Sequence, residues 1–347
     1  MRFGPVPVAE AAGAVAAHGV QAQAENGEAV VVKKGDTVSA AQAAALARAG
    51  VRAVVVAQLD PGDVGENAAA RRLAEAVAGP GLWIERAFTG RANLFALAPG
   101  VLLVDAEAVE RVNAVDERLT LATLPPFRAV AANEMVGTVK VIPFAVEGAV
   151  LDRAVGAVRG PALRVSPYRA RRVGVVSTLL PGLKPSVVAK TLRVLDDRLA
   201  PTGSAVAAEE RVPHEAGAVA GALHRMAPHH DLLIVYGASA IADRRDVIPA
   251  GVERAGGTVD HLGMPVDPGN LLMMGRIGGV PVLGAPGCAR SPKENGFDWV
   301  LQRLLADVPV TGADIRRLGA GGLLMEIVSR PQPRDGAAKD ERAEDGP

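Results

Sequence analysis

The chain has 347 residues, of which 49% are hydrophobic and 22% charged, enough to bury a sizeable core over two or three domains. Lysine plus arginine equals aspartate plus glutamate at 38 each, so no global field points to nucleic acid or a membrane surface, and aromatics at 3% leave few stacking platforms for single strands. A single cysteine, Cys288, excludes an intramolecular disulfide framework and cysteine-cluster metal sites. No apolar run reaches the ~18 to 20 residues of a membrane span, and the N-terminal MRFGPVPVAEAAG has neither the basic flank nor the apolar core of a signal peptide, so a cytoplasmic location is expected.

In chain order, AVVVKKGD (29–36) predicts a strand and turn, SAAQAAALARAG (39–50) a helix with Ser39 as N-cap and Gly50 as its stop, and VRAVVVAQL (51–59) a strand, together a β-α-β unit. ENAAARRLAEAVAG (66–79) predicts a second helix, followed by strand segments at 82–88, 101–104, 118–127 and 135–146. A connecting helix over 146–162 and a linker at 166–172 close a mixed α/β region of residues 1–165, divisible near residue 60. TGRANLFA (89–96) reads as a surface turn placing Arg91 and Asn93 beside Phe88 and Phe95, or as part of a second ligand site with Glu66 and Asn67. Lys140 reads as the outward residue of a strand.

From Arg172 the pattern becomes regular. RVGVVST, SAVAAEERV, DLLIVYG, TVDHLGM and VPVLGAP read as strands, separated by helices over 184–199, 214–226 and 246–257 and followed by one over 293–305. This alternation predicts an α/β domain over 166–330 built on a doubly wound, mostly parallel sheet, with ligands at the carboxyl ends of strands. The polar segment 331–347 is expected to be a disordered tail. Adjacent His229 and His230 on an extended segment point to opposite faces, which argues against a shared metal.

Three loops carry candidate chemistry. VLGAPGCARSPKENGFDWVL (282–301) breaks from strand to a Pro286-Gly287 turn and restarts as a helix, with Ser291 as N-cap and Pro292 as first helical residue. Backbone N–H groups and a helix N-terminus around one small volume suit a phosphate; an ordinary capped junction is the alternative. Cys288 lies in this turn, as a thiol near a ligand or as a small residue filling space. In GASAIADRRDVIPAG (237–251), Gly237, Ala238 and Ser239 allow close approach of backbone to ligand, while Asp243 and Asp246 can cap a helix, hold a metal or orient a hydroxyl. In MPVDPGNLLMMG, Asp267 and Asn270 flank a Pro268-Gly269 turn.

The order and spacing of these loops resemble the molybdopterin-binding domain of the MoeA/Mog-type proteins of molybdenum cofactor synthesis. The family's Thr-Gly-Gly-x-Ser-x-Gly run and Asp align with Gly237, Ala238 and Asp246, its Lys-Pro-Gly-Lys-Pro with Asp267 to Asn270, and its Leu-Pro-Gly-Asn-Pro with Ala285 to Ala289. The match covers about residues 171–306 and extends weakly to VKKGDTVSAAQAAALARAGVRAVVV; residues 60–165 carry no motif of known role. The resemblance implies a Mog-like domain binding molybdopterin or its nucleotide through Gly237, Ala238, Ser239, Asp267, Pro268, Gly269, Asn270, Pro286, Gly287, Cys288 and Ser291. It also implies transfer of molybdate to molybdopterin, with Asp243 and Asp246 as catalytic candidates and with Mg and ATP or an adenylylated ligand taking part. Homo-oligomers are common in the family.

Departures weaken the catalytic half of that expectation. Leu179, Leu180 and Pro181 stand where the family has polar and acidic residues, and no carboxylate occurs between Ser177 and Asp196. Pro213-His214-Glu215 replaces an Asp pair, and the basic residues of the second loop have become Asp267 and Asn270, leaving Arg276, Arg290 and Lys293 to compensate. Three functions follow: a molybdotransferase-like enzyme, a non-catalytic carrier delivering the cofactor to a molybdenum enzyme or a cytidylyltransferase, or an unrelated α/β enzyme for a sugar or nucleotide phosphate. The chain has no Leu-Ala-Ala-Gly-x-Ser-x-Arg-Met signature and is not expected to attach CMP itself.

Overall fold

Ser39 caps the first helix as its position predicts: its hydroxyl accepts from the Gln42 N–H while the Gln42 side chain accepts from the Ser39 N–H. The computed structural model describes residues 1–23, 27 and 29–324, and the chain divides into two compact units, Met1–Pro167 and the part from Tyr168 onward. The expected disordered tail at 331–347 lies outside the described residues. Among the described residues no helix is long and apolar enough to cross a membrane.

The first unit opens with β1 (Arg2–Pro7), β2 (Val15–Ala16), β3 (Val20–Gln23), β4 (Ala29–Val32), α1 (Ala40–Arg48) and β5 (Ala53–Gln58). The expected β-α-β unit does not form: β4 pairs antiparallel with β3, whereas β5 lies between β1 and β2 in another antiparallel sheet. The reason is visible along β4, where Val30 and Val32 are buried and Ala29 and Val31 exposed. A strand with one wet face suits antiparallel pairing, because parallel crossover strands are covered on both faces.

Next come β6 (Asp63–Gly65), α2 (Glu66–Val77), β7 (Leu82–Ile84), β8 (Arg91–Ala96), β9 (Gly100–Val104), α3 (Ala106–Asn113) and β10 (Leu119–Thr123). They are followed by β11 (Ala129–Val130), β12 (Met135–Val141), β13 (Ala145–Glu147), α4 (Gly148–Gly156) and β14 (Leu163–Pro167). An antiparallel sheet of order β10-β12-β8-β7 sets Arg91 opposite Lys140 and Asn93 opposite Thr138. One face, with Ala92, Leu94, Ala96, Leu121 and Val139, joins Ala70, Leu73 and Val77 of α2 in a buried core. TGRANLFA is therefore a strand rather than a turn; only Thr89 and Gly90, at φ 47° and 68°, turn the chain. Part of the expected linker is also strand, since Ser166 and Pro167 pair with Val101 and Gly100.

The second unit contains β15 (Arg172–Leu179), α5 (Pro185–Leu199), β16 (Ala205–Pro213), α6 (Ala216–Met226), β17 (Leu232–Tyr236) and α7 (Val247–Arg254). It continues with β18 (Thr258–Leu262), β19 (Met273–Ile277), β20 (Val280–Ala285), α8 (Gly296–Leu305) and α9 (Gly312–Arg317). The six-stranded sheet has order β16-β15-β17-β20-β19-β18; its first four strands are parallel, and β19 runs antiparallel to both neighbours. The sheet is thus mixed: five of its strands run in one direction and β19 is reversed. Gly278 and Gly279, both at positive φ (52° and 90°), make a two-residue turn that folds β19 back on β20. Alternate strand residues serve two cores: Val175, Ile234, Tyr236 and Leu283 with Leu195 of α5 and Phe297 of α8, and Val176, Val235 and Val282 with Leu223 of α6 and Ile248 of α7. The carboxyl ends of β15, β17 and β20 therefore lie side by side between covered faces.

Candidate functional site

Thr178, buried near the end of β15, fastens the first two strand ends together. Its Oγ1 accepts from the Ala238 N–H at 2.7 Å, lies 2.8 Å from His214 Nδ1, and is 3.5 Å from the Tyr236 carbonyl oxygen. Arg290 adds the third loop: its guanidinium donates to the Gly237 carbonyl at 2.7 Å and to Thr191 Oγ1 on α5 at 2.8 Å, and stands over the Tyr236 ring at 5.3 Å. Burial lowers the Arg290 pKa from its ordinary value. The Tyr236 hydroxyl is buried with no hydrogen-bond partner among the described residues, and its desolvation pushes the phenol pKa upward.

The Pro-Gly loop departs from the expected geometry. Gly287–Arg290 forms a short 3-10 turn, and α8 begins only at Gly296 with Asn295 as its N-cap, so Ser291 and Pro292 are not the cap and first helical residue. Arg198 of α5 explains the delay: it donates to the carbonyls of Ala289 at 2.9 Å and Ser291 at 2.7 Å and to Asp298 Oδ1 at 2.5 Å. Those contacts pin the segment in a non-helical path. The start of α8 is itself filled, because Asn295 Oδ1 accepts from Phe297 N–H at 3.1 Å and the Pro268 carbonyl accepts from Gly296 N–H at 2.9 Å. These two N–H groups are therefore taken within the protein. Gly287 is exposed, and a Cβ there meets open space outside the left-handed region. Burial pushes the half-buried Cys288 thiol above its ordinary value, which keeps it a thiol and not a reactive thiolate.

The carboxylates singled out in the sequence serve local structure. Asp246 caps α7, accepting from Val247 N–H at 2.7 Å and Ala242 N–H at 3.0 Å. Asp243 accepts from the Arg245 guanidinium at 2.7 Å, which holds its pKa below the usual value. Gly237 is required where it stands, since a Cβ would lie 2.5 Å from the Ser239 carbonyl oxygen; Ser239 itself is exposed. Asp267 precedes a cis Pro268, and its backbone is tied to Gly322 and Leu324 while its side chain is exposed. Gly269, at φ 145°, passes so close to α8 that a Cβ would lie 2.8 Å from Gly296 N, and Asn270 is exposed. Gly237, Ala238 and the Pro286–Cys288 turn thus join the cluster around Thr178 and Arg290, whereas Asp267 to Asn270 adjoin the start of α8.

Residues 5–58 match a family described as a domain of unknown function (DUF8806). No curated protein matches the chain. Among solved structures it has a distant likeness to a molybdopterin biosynthesis MoeA protein from Pyrococcus horikoshii, at 14% identity and TM-score 0.32, covering 90% of this chain and 76% of that one. A molybdenum cofactor biosynthesis protein from Pyrococcus furiosus is similar at 13% identity and TM-score 0.25, covering 88% and 64%. A second MoeA structure, from Pyrococcus horikoshii OT3, is similar at 10% identity and TM-score 0.26, covering 88% and 74%.

Positive charge around the loops is more sparing than the sequence suggests. Arg290 is spent on the Gly237 carbonyl and Thr191, and Arg276 pairs with Asp260 at 2.9 Å. The exposed Lys293 keeps its ammonium uncommitted among the described residues. No three His, Cys, Asp or Glu side chains converge among the described residues, and His230 Nδ1 lies 2.8 Å from the Met226 carbonyl oxygen. Thr178, Arg198 and Asp298 escaped the sequence reading because their partners lie far along the chain. His214 left a trace there, as the residue standing in place of an acidic pair.

Proposed function

We propose that the second unit is a Mog-like, doubly wound domain that binds molybdopterin or a related pterin phosphate across the loops ending β15, β17 and β20, in molybdenum cofactor synthesis or maturation. One observation carries the reading: Arg290 and Thr178 fasten the Pro-Gly loop, the Gly237 loop and the end of β15 into one platform, with Gly237 and Ala238 at its centre. A flat pterin needs such an open backbone-lined slot at the strand ends. Its phosphate falls to the exposed Gly287 turn and Lys293, because the first turn of α8 is occupied by Asn295 and Pro268.

The commitment of Asp243 to Arg245 and of Asp246 to the α7 cap favours a carrier over a molybdate-inserting enzyme. A carrier of this kind hands its cargo to a molybdenum enzyme or to a cytidylyltransferase. Fluorescence titration with molybdopterin tests the binding step. Gly287→Asp places a carboxylate in open space, so it is expected to weaken binding about tenfold or more without unfolding the unit. Equal binding by the wild type and this variant refutes the placement. Formation of loaded cofactor from ATP and molybdate would overturn the carrier reading and leave the ligand in place.

A further inference from the structure

The first unit contains a concave site that the reading above does not use. Glu66 opens α2, Thr89 and Gly90 turn the chain into β8, Arg91 begins β8 opposite Lys140 of β12, and Lys34 and Gly35 lie just beyond β4. With Ile142 and Phe144 these residues line a cavity of about 440 Å³, within the range of small-ligand sites. Three cations face one acid. Lys140 Nζ donates to the Thr89 carbonyl at 2.5 Å and stands 3.8 Å from Glu66 Oε2, while Arg91 donates to Thr138 Oγ1 at 3.1 Å. Neither Arg91 nor Lys34 is ion-paired with an acid among the described residues.

The turn at the rim is pressed onto this cluster. A Cβ on Gly90 would lie 2.6 Å from Glu66 Oε2 and 2.9 Å from Lys140 Nζ, and Asn67 holds the turn by accepting from the Gly90 N–H at 2.8 Å. Thr89 beside it is a non-glycine residue in the left-handed region, a conformation that persists where surrounding contacts enforce it and that concentrates at ligand sites. Arg91 and Lys34 are exposed, whereas Lys140 and Glu66 are largely covered. The cleft therefore presents a fixed cation at its floor and, at its mouth, two that have no acidic partner among the described residues.

We propose that this cleft binds a doubly charged tetrahedral oxyanion, a phosphate either free or carried on a small organic molecule, with Arg91, Lys34 and Lys140 as its counter-ions. The guanidinium fork of Arg91 suits two phosphate oxygens, and the lysines supply point charge. Glu66 opposes the ligand while ionised. Burial pushes its carboxyl above the usual value against the pull of Lys140 and Lys34, and an arriving anion pushes it further the same way. The groups facing Glu66 are Lys140 from β12 and Lys34 from beyond β4, with Arg91 of β8 also lining the cleft.

Calorimetric titration of the full chain with inorganic phosphate at low ionic strength tests this, performed on a Gly287→Asp background so that phosphate binding in the second unit is weakened. Saturable binding is expected, weakened about tenfold by Arg91→Gln and to a lesser degree by Lys34→Gln, and tightened about threefold by Glu66→Gln at pH 7. Glycerol 3-phosphate binding more tightly than inorganic phosphate identifies an esterified ligand; equal affinities identify the free ion. Lys34→Gln alters an exposed side chain and stays informative even if Arg91→Gln fails to fold. Absence of saturable binding, or one affinity shared by the parent, Lys34→Gln and Glu66→Gln, overturns the proposal and leaves the pterin reading of the second unit untouched.

Discussion

Tyr236→Phe removes a hydroxyl that is buried without a hydrogen-bond partner and leaves the ring otherwise unchanged. A buried, unpaired polar group costs about 1 to 3 kcal/mol. The ring's packing between α5 and α8 is retained, and so is the Arg290 guanidinium above it, since a phenyl ring has a similar negative face. The second unit is therefore expected to gain about 1 to 2 kcal/mol, a rise of roughly 2 to 8 °C in its melting temperature for a unit of this size. Urea unfolding followed by Trp299 fluorescence in a Trp83→Phe background isolates the second unit, because Trp299 lies on α8 and Trp83 in the first unit. The gain should be constant from about pH 5 to 9 and grow above about pH 10, where the unfolded tyrosine ionises before the folded one, whose pKa is raised. A loss of 1 kcal/mol or more in Tyr236→Phe would show that the hydroxyl has a partner and would refute the reasoning.

Arg198→Met strips the donors from the Ala289 and Ser291 carbonyls and leaves the buried Asp298 carboxylate without its guanidinium, a loss of about 3 to 5 kcal/mol in urea unfolding; adding Asp298→Asn should return part of it. Gly237→Ala forces a contact with the Ser239 carbonyl and should lower both stability and molybdopterin affinity, whereas Gly287→Ala should change stability by less than about 0.5 kcal/mol, as two thermal melts and two titrations will show. Asp116, held down to about 2 by hydrogen bonding to Arg118, stabilises the first unit above its ordinary pKa and loses that contribution as pH falls toward 2. Asp116→Asn should therefore be destabilising at pH 7 and neutral near pH 2 by calorimetry. Cys288, with its thiol pKa raised by burial, should react with a maleimide more slowly than a free thiol, with a pH–rate midpoint above about 8.5.

How far each part was readable follows from the range of the interactions involved. The Ser39 cap, the helix at 66–77 and the strand-helix alternation after Arg172 are written in contiguous residues, and those elements form. The pairing of β4 and β5 with different partners is not, because two strands around a helix look alike whether or not they share a sheet. The start of α8 shows the same limit in one loop. Ser291 and Pro292 carry a good local cap signal, but Arg198, distant along the chain, takes the neighbouring carbonyls and delays the helix to Gly296. Arg91 reads in the sequence as a surface turn residue or as part of a second ligand site with Glu66 and Asn67, and Lys140 as a strand residue; only antiparallel register sets the two opposite each other beside Glu66.

Local sequence determined where the backbone turns, where helices can begin, and that glycines and small residues would cluster at strand ends, because those preferences arise from each residue and its near neighbours. Tertiary structure decided which polar groups remain available there. Asp243, Asp246, Arg198 and Arg290 are bound by partners on their own or other elements, while Arg91 and Lys34 keep donors facing a cavity. A charged side chain can satisfy only a limited set of hydrogen bonds, and the fold determines whether that set is closed within the protein or open to a ligand.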